Sequence, residues 1–440
     1  MGTSAKTPRT CPGSGLTWPC KPVEAICKRA ILLFLALVLV LSAAPVVAAE
    51  GQLFDDVKTM QSIAEDLTSF LRLEISGHVN MRNQVLDAAL DHVEQIYPYE
   101  RFYAFWDAAK VFPGYLCIQW DTKPENVQLW QLSQNGSILS QRDVPGTYDT
   151  VEKLLPDTCK VAFVSGREGM RIIRLALYSD GQLPEPFVPW QPTPDHLDYL
   201  VVSTHPDDDV LFMGGIVPIY GAERGYVGTV AYVTSPNRLR ITEAMMGAWT
   251  MGTPYMPLFL GFQDIASVDK HPNLYANRFL PDAVTMALVR LFRTYRPLVV
   301  FTQDVNGEYG HWQHKIVSAA VVEAARLAGD ASFDPVSLAE QGIWQVQKCY
   351  VHLYQDDPLI LDVNAPLSKM GGRTALEVAR ASFLKHRSQQ TGRHWVQSDT
   401  DRYLMSRFGM AYGTVEAGTD AFDNIDPALF SFALANGLGT

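Results

Sequence analysis

Two short runs concentrate groups able to hold a cation and move a proton. One is His205-Pro206-Asp207-Asp208-Asp209; the other is Tyr309-Gly310-His311-Trp312-Gln313-His314. Together they offer the imidazoles and carboxylates of a mononuclear zinc site, which wants three protein ligands of this kind and an open position for water. A further carboxylate beside that water would serve as general base. Each run alone has a plainer explanation. Acids between a strand and a helix cap the helix and complement its dipole, which accounts for Asp208 or Asp209. Capping does not call for His205, and a lone His-x-x-His in a loop is more often a surface or core pair. Both runs at strand ends of one domain shift the balance to a metal-assisted hydrolytic site.

The elements that must position these groups follow from the hydrophobic pattern. Leu197 to Ser203 is a short apolar run suited to a buried strand, and the first cluster follows it directly. Helix-compatible stretches at Val210–Glu223, Arg240–Met251, Pro281–Tyr295 and Lys315–Ala328 alternate with strand-like runs at Val227–Thr234, Met256–Gly261 and Leu298–Thr302. That alternation predicts an α/β domain with a Rossmann-like, largely parallel sheet, whose working groups gather at the carboxyl ends of strands.

Upstream the period changes. Strand-like runs at 115–120, 127–132, 161–164 and 172–178, with Asn135-Gly136 as a hairpin turn, predict a β-sandwich-like domain. Val57, Met60, Ile63 and Leu67 show helical spacing within Asp56–Leu71. Pro184, Pro186, Pro189, Pro192 and Pro194 exclude both helix and central strand and mark a linker. The expected organisation is a leader at 1–49, a β-rich accessory domain at 50–183, a Pro-rich linker at 184–195 and the α/β domain at 196–440.

At the two clusters the sequence resembles the PIG-L / LmbE-like de-N-acetylase family, with its His-Pro-Asp-Asp-Glu and Gly-His-x-x-His motifs, over roughly Leu197 to Gln389. The resemblance implies one zinc ion and removal of an acetyl group from N-acetylglucosamine-type sugars, or cleavage of related amides. It implies His205, Asp208 and His314 as zinc ligands and Asp207 as general base, with His311 and Tyr309 stabilising the oxyanion. Arg240 and Glu243 in Arg-x-x-Glu, Asp264, and the late run His386-Arg387-Ser388-Gln389 match further family stretches. Arg240, Glu243 and Asp264 are thereby assigned to substrate binding, and His386 to a structural helix end. Asp209 stands where Glu is usual, and Trp312-Gln313 where Pro-Asp is typical. An Asp there would hold His311 in its charged or correctly oriented form, so the neutral Gln313 is expected to leave the pKa of His311 lower.

The 440 residues carry a formal charge of −11, but residues 1–30 hold five bases against one acid, leaving −15 for the remainder. An acidic body argues against nucleic acid as a partner. Ala30 to Ala49 is free of charge behind Lys28-Arg29, and Val47-Ala48-Ala49 offers a small-residue cleavage site. This is the layout of a signal peptide or an uncleaved signal anchor, so the body is expected to be secreted or extracytoplasmic. In that compartment Cys117 and Cys159 could form a disulfide; otherwise they are buried thiols.

Other readings keep the same residues. The chain could be a glycan-binding surface protein with the α/β domain as scaffold, since Ile75–Trp130 weakly resembles a discoidin-type galactose-binding sandwich. Trp106, Trp120 and Trp130 could then stack on sugars. It could also hydrolyse a non-sugar amide. A phosphoesterase would normally require two metals and a richer ligand set than the single one visible.

Overall fold

The computed structural model describes residues 62–75, 86, 93–235, 237–265, 279–392, 395–396 and 403–432. The expected leader lies outside these residues; among the described ones no helix is long and apolar enough to cross a membrane. Residues 63–440 cluster as one compact unit.

The N-terminal half is built from nine strands: β1 (Arg72–Ile75), β2 (Glu94–Ile96), β3 (Arg101–Phe105), β4 (Tyr115–Trp120), β5 (Gln128–Leu132), β6 (Ile138–Asp143), β7 (Asp149–Lys153), β8 (Lys160–Val164) and β9 (Met170–Tyr178). They form two sheets, ordered β1-β3-β8-β5-β6 and β2-β9-β4-β7, with antiparallel pairings throughout. Alternation decides which side chains meet. Phe102, Leu129 and Phe163 of the first sheet share an apolar core with Leu116, Ile118, Trp120 and Ile172 of the second. The Trp120 ring meets Phe163 edge-on with centroids 5.9 Å apart.

Several alternatives left open by the sequence are decided here, and one expectation is corrected. Trp106 and Trp120 are buried in this core, so neither presents a face to a sugar, and Trp130 already lies under the Arg101 guanidinium at 5.1 Å. Cys117 and Cys159 are free thiols. Cys117 packs against Ala176, Tyr178 and Phe187, whereas Cys159 immediately precedes β8 in the other sheet. The helix expected over Asp56–Leu71 is outside the described residues up to 61. From Ser62 the chain instead makes bridges at Ile63 and Asp66 and a 3-10 turn at Thr68–Phe70, placing Leu67 and Leu71 in the sheet core.

The proline-rich segment is pinned rather than loose. Gln191 donates its N–H to the Pro254 carbonyl (3.0 Å) and accepts from the Met256 N–H (2.9 Å), while Trp190 packs with Ile241, Met245 and Met256.

The C-terminal half contains β10 (Tyr199–Ser203), α1 (Asp208–Phe212), β11 (Gly228–Thr234), α2 (Arg238–Met251), β12 (Leu258–Phe262), α3 (Pro281–Tyr295), β13 (Val299–Thr302), α4 (Trp312–Leu327), α5 (Pro335–Gln341), β14 (Lys348–His352), β15 (Pro358–Ile360), α6 (Ala375–Phe383) and β16 (Arg407–Gly413). Its sheet order is β12-β11-β10-β13-β14-β16-β15. The first five strands are parallel, and β16 runs antiparallel to both β14 and β15, so the sheet is mixed at one edge. Parallel strands covered on both faces are apolar throughout, and every residue of β10, β11, β13 and β14 is buried. On α3, Val284, Leu288 and Phe292 repeat every four residues and face the sheet. Truncating one such side chain to Ala would cost about 2–5 kcal/mol.

The chain builds outward from β10 through β11 to β12, then crosses back to place β13 on the other side of β10. Loops leaving the carboxyl ends of β10 and β13 therefore diverge over one crevice, the location that open α/β sheets use for ligands.

Candidate metal and catalytic site

The loop after β10 carries His205 to Asp209, and the loop after β13 carries Glu308 to His314, so the strand reversal brings the two clusters together. His205 Nδ1 lies 2.9 Å from Asp208 Oδ2 and 3.2 Å from His314 Nε2, and the latter two atoms are 3.1 Å apart. The three donors form a nearly equilateral triangle, close to the ~3.3 Å edges of a tetrahedral site with metal–ligand distances of about 2.0–2.1 Å.

Hydrogen bonding explains why these atoms face one another. His314 directs Nδ1 at Glu308 Oε2 (2.9 Å), which leaves the Nε2 lone pair facing inward. His205 Nε2 lies 3.1 Å from Gln313 Oε1, which leaves its Nδ1 facing inward as well. Burial would lower the His314 pKa, but Asp208 and Glu308 push it up to about 10, so the crevice attracts positive charge; a cation taking the place of the His314 proton would meet two imidazole nitrogens and a carboxylate oxygen. A second grouping of His205, His311 and His314, with ligand atoms within 4.8 Å of one another, could also hold a metal ion. The triangle through Asp208 is the tighter of the two.

Glu308 was not evident from the sequence. It is fully buried, and its other oxygen accepts from His352 Nδ1 (3.0 Å) and the Asp304 N–H (2.9 Å). Burial would push its pKa up, but the hydrogen bonds from His314 and His352 outweigh that and hold it at about 2. A carboxylate orienting a ligand histidine is a recurrent support of metal sites. The available signals were an acid immediately before Tyr309 and a histidine ending β14.

Gln313 is also placed differently from the expectation. It contacts His205 rather than His311, and is fixed by the Ile265 N–H (3.1 Å to Oε1) and by its own Nε2 donating to Gln263 O (3.0 Å). The His311 pKa is low, about 4, for a different reason: burial and the neighbouring His314 and His205.

Asp207 sits beside the triangle and outside it. Its Oδ1 accepts from Arg240 Nη2 (3.0 Å), and the same guanidinium bonds Asp264 Oδ2 (3.1 Å) and the Pro206 carbonyl. Burial and the charge of Asp208 push the Asp207 carboxyl well above the usual range, against the pull of Arg240. Burial would also raise Asp208, but His314 and His205 hold it well below that range. Two adjacent carboxylates are thus driven apart, one fit to exchange a proton and the other fit to remain an anion. Asp207 has φ +123° and Tyr309 φ +47°, so both lie in backbone territory that non-glycine residues rarely occupy.

Tyr309 is 49% exposed, with its ring centroid 5.7 Å from that of His311 and 5.4 Å from that of His314. His311 is half-buried and its Nδ1 has no hydrogen-bond partner. Both therefore stand at the rim of the triangle. Asp264 also approaches His205 Nε2 at 3.6 Å. Glu243 is spent elsewhere, because its carboxylate accepts from the Ser388 N–H (2.7 Å) and hydroxyl (2.5 Å). His386 is fully buried against Gly247 and is not among the clustered groups. Asp209 Oδ2 accepts from the Tyr232 hydroxyl (2.8 Å), anchoring α1 to β11.

A buried His/Asp triangle with an adjacent carboxylate, at a strand reversal of an α/β sheet, is an arrangement that could hold a metal ion. Residues 200–325 match the family described as PIG-L: GlcNAc-PI de-N-acetylase, and this stretch is a PIG-L-type domain. A 1D-myo-inositol 2-acetamido-2-deoxy-alpha-D-glucopyranoside deacetylase 1 of Catenulispora acidiphila is 29% identical over 178 residues, 34% of this chain and 54% of the relative. The like-named deacetylase of Rhodococcus opacus is 28% identical over 178 residues, 34% of this chain and 59% of the relative. The chain thus spans little more than half the length of these curated relatives. Among solved structures, N,N'-diacetylchitobiose deacetylase from Pyrococcus horikoshii is similar at 19% identity with a TM-score of 0.34, covering 44% of this chain and 70% of that one.

Proposed function

We propose that the chain is an exported, zinc-dependent amidohydrolase that removes acetyl from an N-acetylglucosamine-type sugar. The observation that carries this reading is the His205–Asp208–His314 triangle of inward-facing donors with Asp207 beside it. The similarity of residues 200–325 to de-N-acetylases supports the choice of bond.

His205, Asp208 and His314 would hold one zinc ion. When bound, zinc supplies a Lewis acid for the amide carbonyl and lowers the pKa of a water from 15.7 towards about 7. Asp207, steadied through Oδ1 by Arg240, takes the proton of the attacking water and returns it to the leaving amine. Tyr309 and His311, at the open rim, donate to the carbonyl oxygen as it becomes an oxyanion. Arg240 and Asp264 act chiefly by holding Asp207 in place, and Glu243 by holding the Ser388 loop. Acetate and a free amino sugar leave.

The reading extends to the rest of the chain. Residues 1–49 act as signal peptide or signal anchor, 50–183 form a β-sandwich accessory domain, 184–195 link the two halves, and 196–440 are catalytic. The charge-flanked apolar run before Glu50 supports export.

The test is acetate release by the purified 50–440 form across N-acetylated monosaccharides, chito-oligosaccharides, cell-wall fragments and sugar-phosphoinositol amides, with zinc counted per chain. Release from at least one sugar with one zinc bound is expected. No release from any sugar would redirect the reading to a non-sugar amide, and two zinc ions would favour a phosphoesterase.

A further inference from the structure

A second cluster of charge lies where the two halves meet. A hollow of about 200 Å³ is lined by Gln119 and Arg174 from the β-rich half and by Thr242, Glu243, Lys385 and Arg387 from the α/β half. Glu243 is occupied by Ser388, and Lys385 is paired with Glu185. Among the described residues, no carboxylate ion-pairs with Arg174 or Arg387. The Arg174 guanidinium lies over the Phe187 ring at 5.0 Å, which fixes its plane. Beneath the hollow, Arg174 Nε and Gln119 Oε1 are buried with no hydrogen-bond partner. Buried polar atoms are rarely left so unless water or a ligand completes them.

The lining sets Arg174, Arg387 and Lys385 against Glu185 and Glu243, and both carboxylates are already engaged, by Lys385 and by Ser388, so the two guanidinium groups are the charges left to meet an anion. Planar guanidinium forks match carboxylate and phosphate oxygens in pairs. The hollow also has a fixed relation to the proposed reaction centre. Glu243 is three residues along α2 from Arg240, the residue that holds Asp207, a rise of about 4.5 Å. Its volume falls below the ~300–1,000 Å³ of pockets that enclose a whole ligand, so it suits one unit of a longer molecule.

We propose that this inter-domain cleft is an anion subsite, holding a carboxylate or phosphate carried by the glycan near the sugar that is deacetylated. The substrate class is then an acidic glycan. The word substrate rests on the deacetylase reading above; the binding itself does not.

Calorimetry on the whole protein tests it with three probes: a hyaluronan tetrasaccharide (carboxylates), N-acetylglucosamine 6-phosphate, and neutral N,N'-diacetylchitobiose. At least one anionic probe should bind about tenfold more tightly than the neutral one at low salt, with the advantage shrinking as salt rises. The probe that gains identifies the source of the oxyanion. Arg387→Gln, at an exposed position where folding is not at stake, should remove most of that advantage, and Arg174→Gln/Arg387→Gln all of it, with chitobiose binding unchanged. Equal binding of anionic and neutral probes, or a preference that survives the double variant, would overturn the subsite. If no probe releases acetate while the arginine-dependent preference persists, the deacetylase reading fails and the subsite stands. Release from chitobiose with no anionic preference sinks the subsite alone.

Discussion

The two halves of this protein both bury charge, and they use it differently. In the β-rich half the buried polar groups pair off locally: Gln131 donates to Glu152 Oε1 (2.6 Å), Glu152 accepts from Arg142, and Gln119 donates to Asp149 (3.3 Å). These links cross strands, and nothing in them converges on a common point. In the α/β half, His205, Asp207, Asp208, Glu308, His314 and His352 are all buried around one crevice, with three of their donor atoms aimed at a single position. Buried charge paired across strands makes a scaffold, whereas buried charge converging on one position makes a site. Helix α2 joins the two regimes. Arg238 reaches Asp149 of β7 (2.7 Å), while Arg240, two residues on, reaches Asp207 (3.0 Å).

The sharpest break in this contrast is Asp207→Asn. Removing the base should lower acetate release by about 10²- to 10⁴-fold. Zinc content should stay near wild type, because Asp207 lies outside the ligand triangle. Unchanged release in metal-loaded protein would remove Asp207 from the proposed role. Next in size is Arg238→Met on the scaffold side. Burial already raises the Asp149 pKa against the pull of Arg238, and removing the arginine strands that carboxylate. A loss of about 3–5 kcal/mol in urea unfolding is expected, the usual cost of breaking a buried pair. A loss below 1 kcal/mol would mean that contacts such as Trp190 on Ile241 and Met245, rather than this ion pair, hold the halves together.

Much of the α/β half was legible in the sequence because its strands are continuous apolar runs separated by periodic helices. The helix at Pro281–Tyr295 falls where the pattern places it, and the strand ends put both motifs over one crevice. The edge of the sheet was not legible. β14 is a five-residue buried run containing Lys348 and His352, and the Lys348 ammonium donates to the sequence-distant carbonyls of Ala417 and Asp423. In the β-rich half, β6 reads as ILSQRD with no buried residue, so it lacks the hydrophobic alternation that would betray a strand. At the site, residue types announced the donors but not their supports. The roles of Glu308, His352 and Gln313 depend on which nitrogen of which ring each one faces, and only the folded backbone decides that.

Glu308→Gln tests whether those supports matter. The substitution keeps the shape and removes the charge that orients His314 and His352, so zinc affinity measured by chelator competition should fall about 10- to 100-fold. The β-rich half does not touch this network, so its near-ultraviolet signal from Trp120 should not change. An unaltered zinc affinity would make Glu308 part of the scaffold rather than the site.

The smallest expected effect comes from charge in the α/β half that lies away from the crevice. Asp334, just before α5, accepts from Arg290 Nε (2.7 Å) and Nη2 (3.2 Å), and these bonds hold its carboxyl at about 2, below the ordinary 3.8. A carboxyl depressed in the folded state contributes stability above its unfolded pKa and loses it as pH falls through the folded value. The contribution should therefore be complete above pH 4 and fade towards pH 2. Arg290 is 48% exposed, so solvent screening keeps the pair's contribution small. Arg290→Gln should slightly flatten the acid limb of the stability curve and leave acetate release at neutral pH unchanged. A loss of activity in this variant would mean that charge beyond the crevice also tunes the site, and the division between scaffold and site would have to be redrawn along α3.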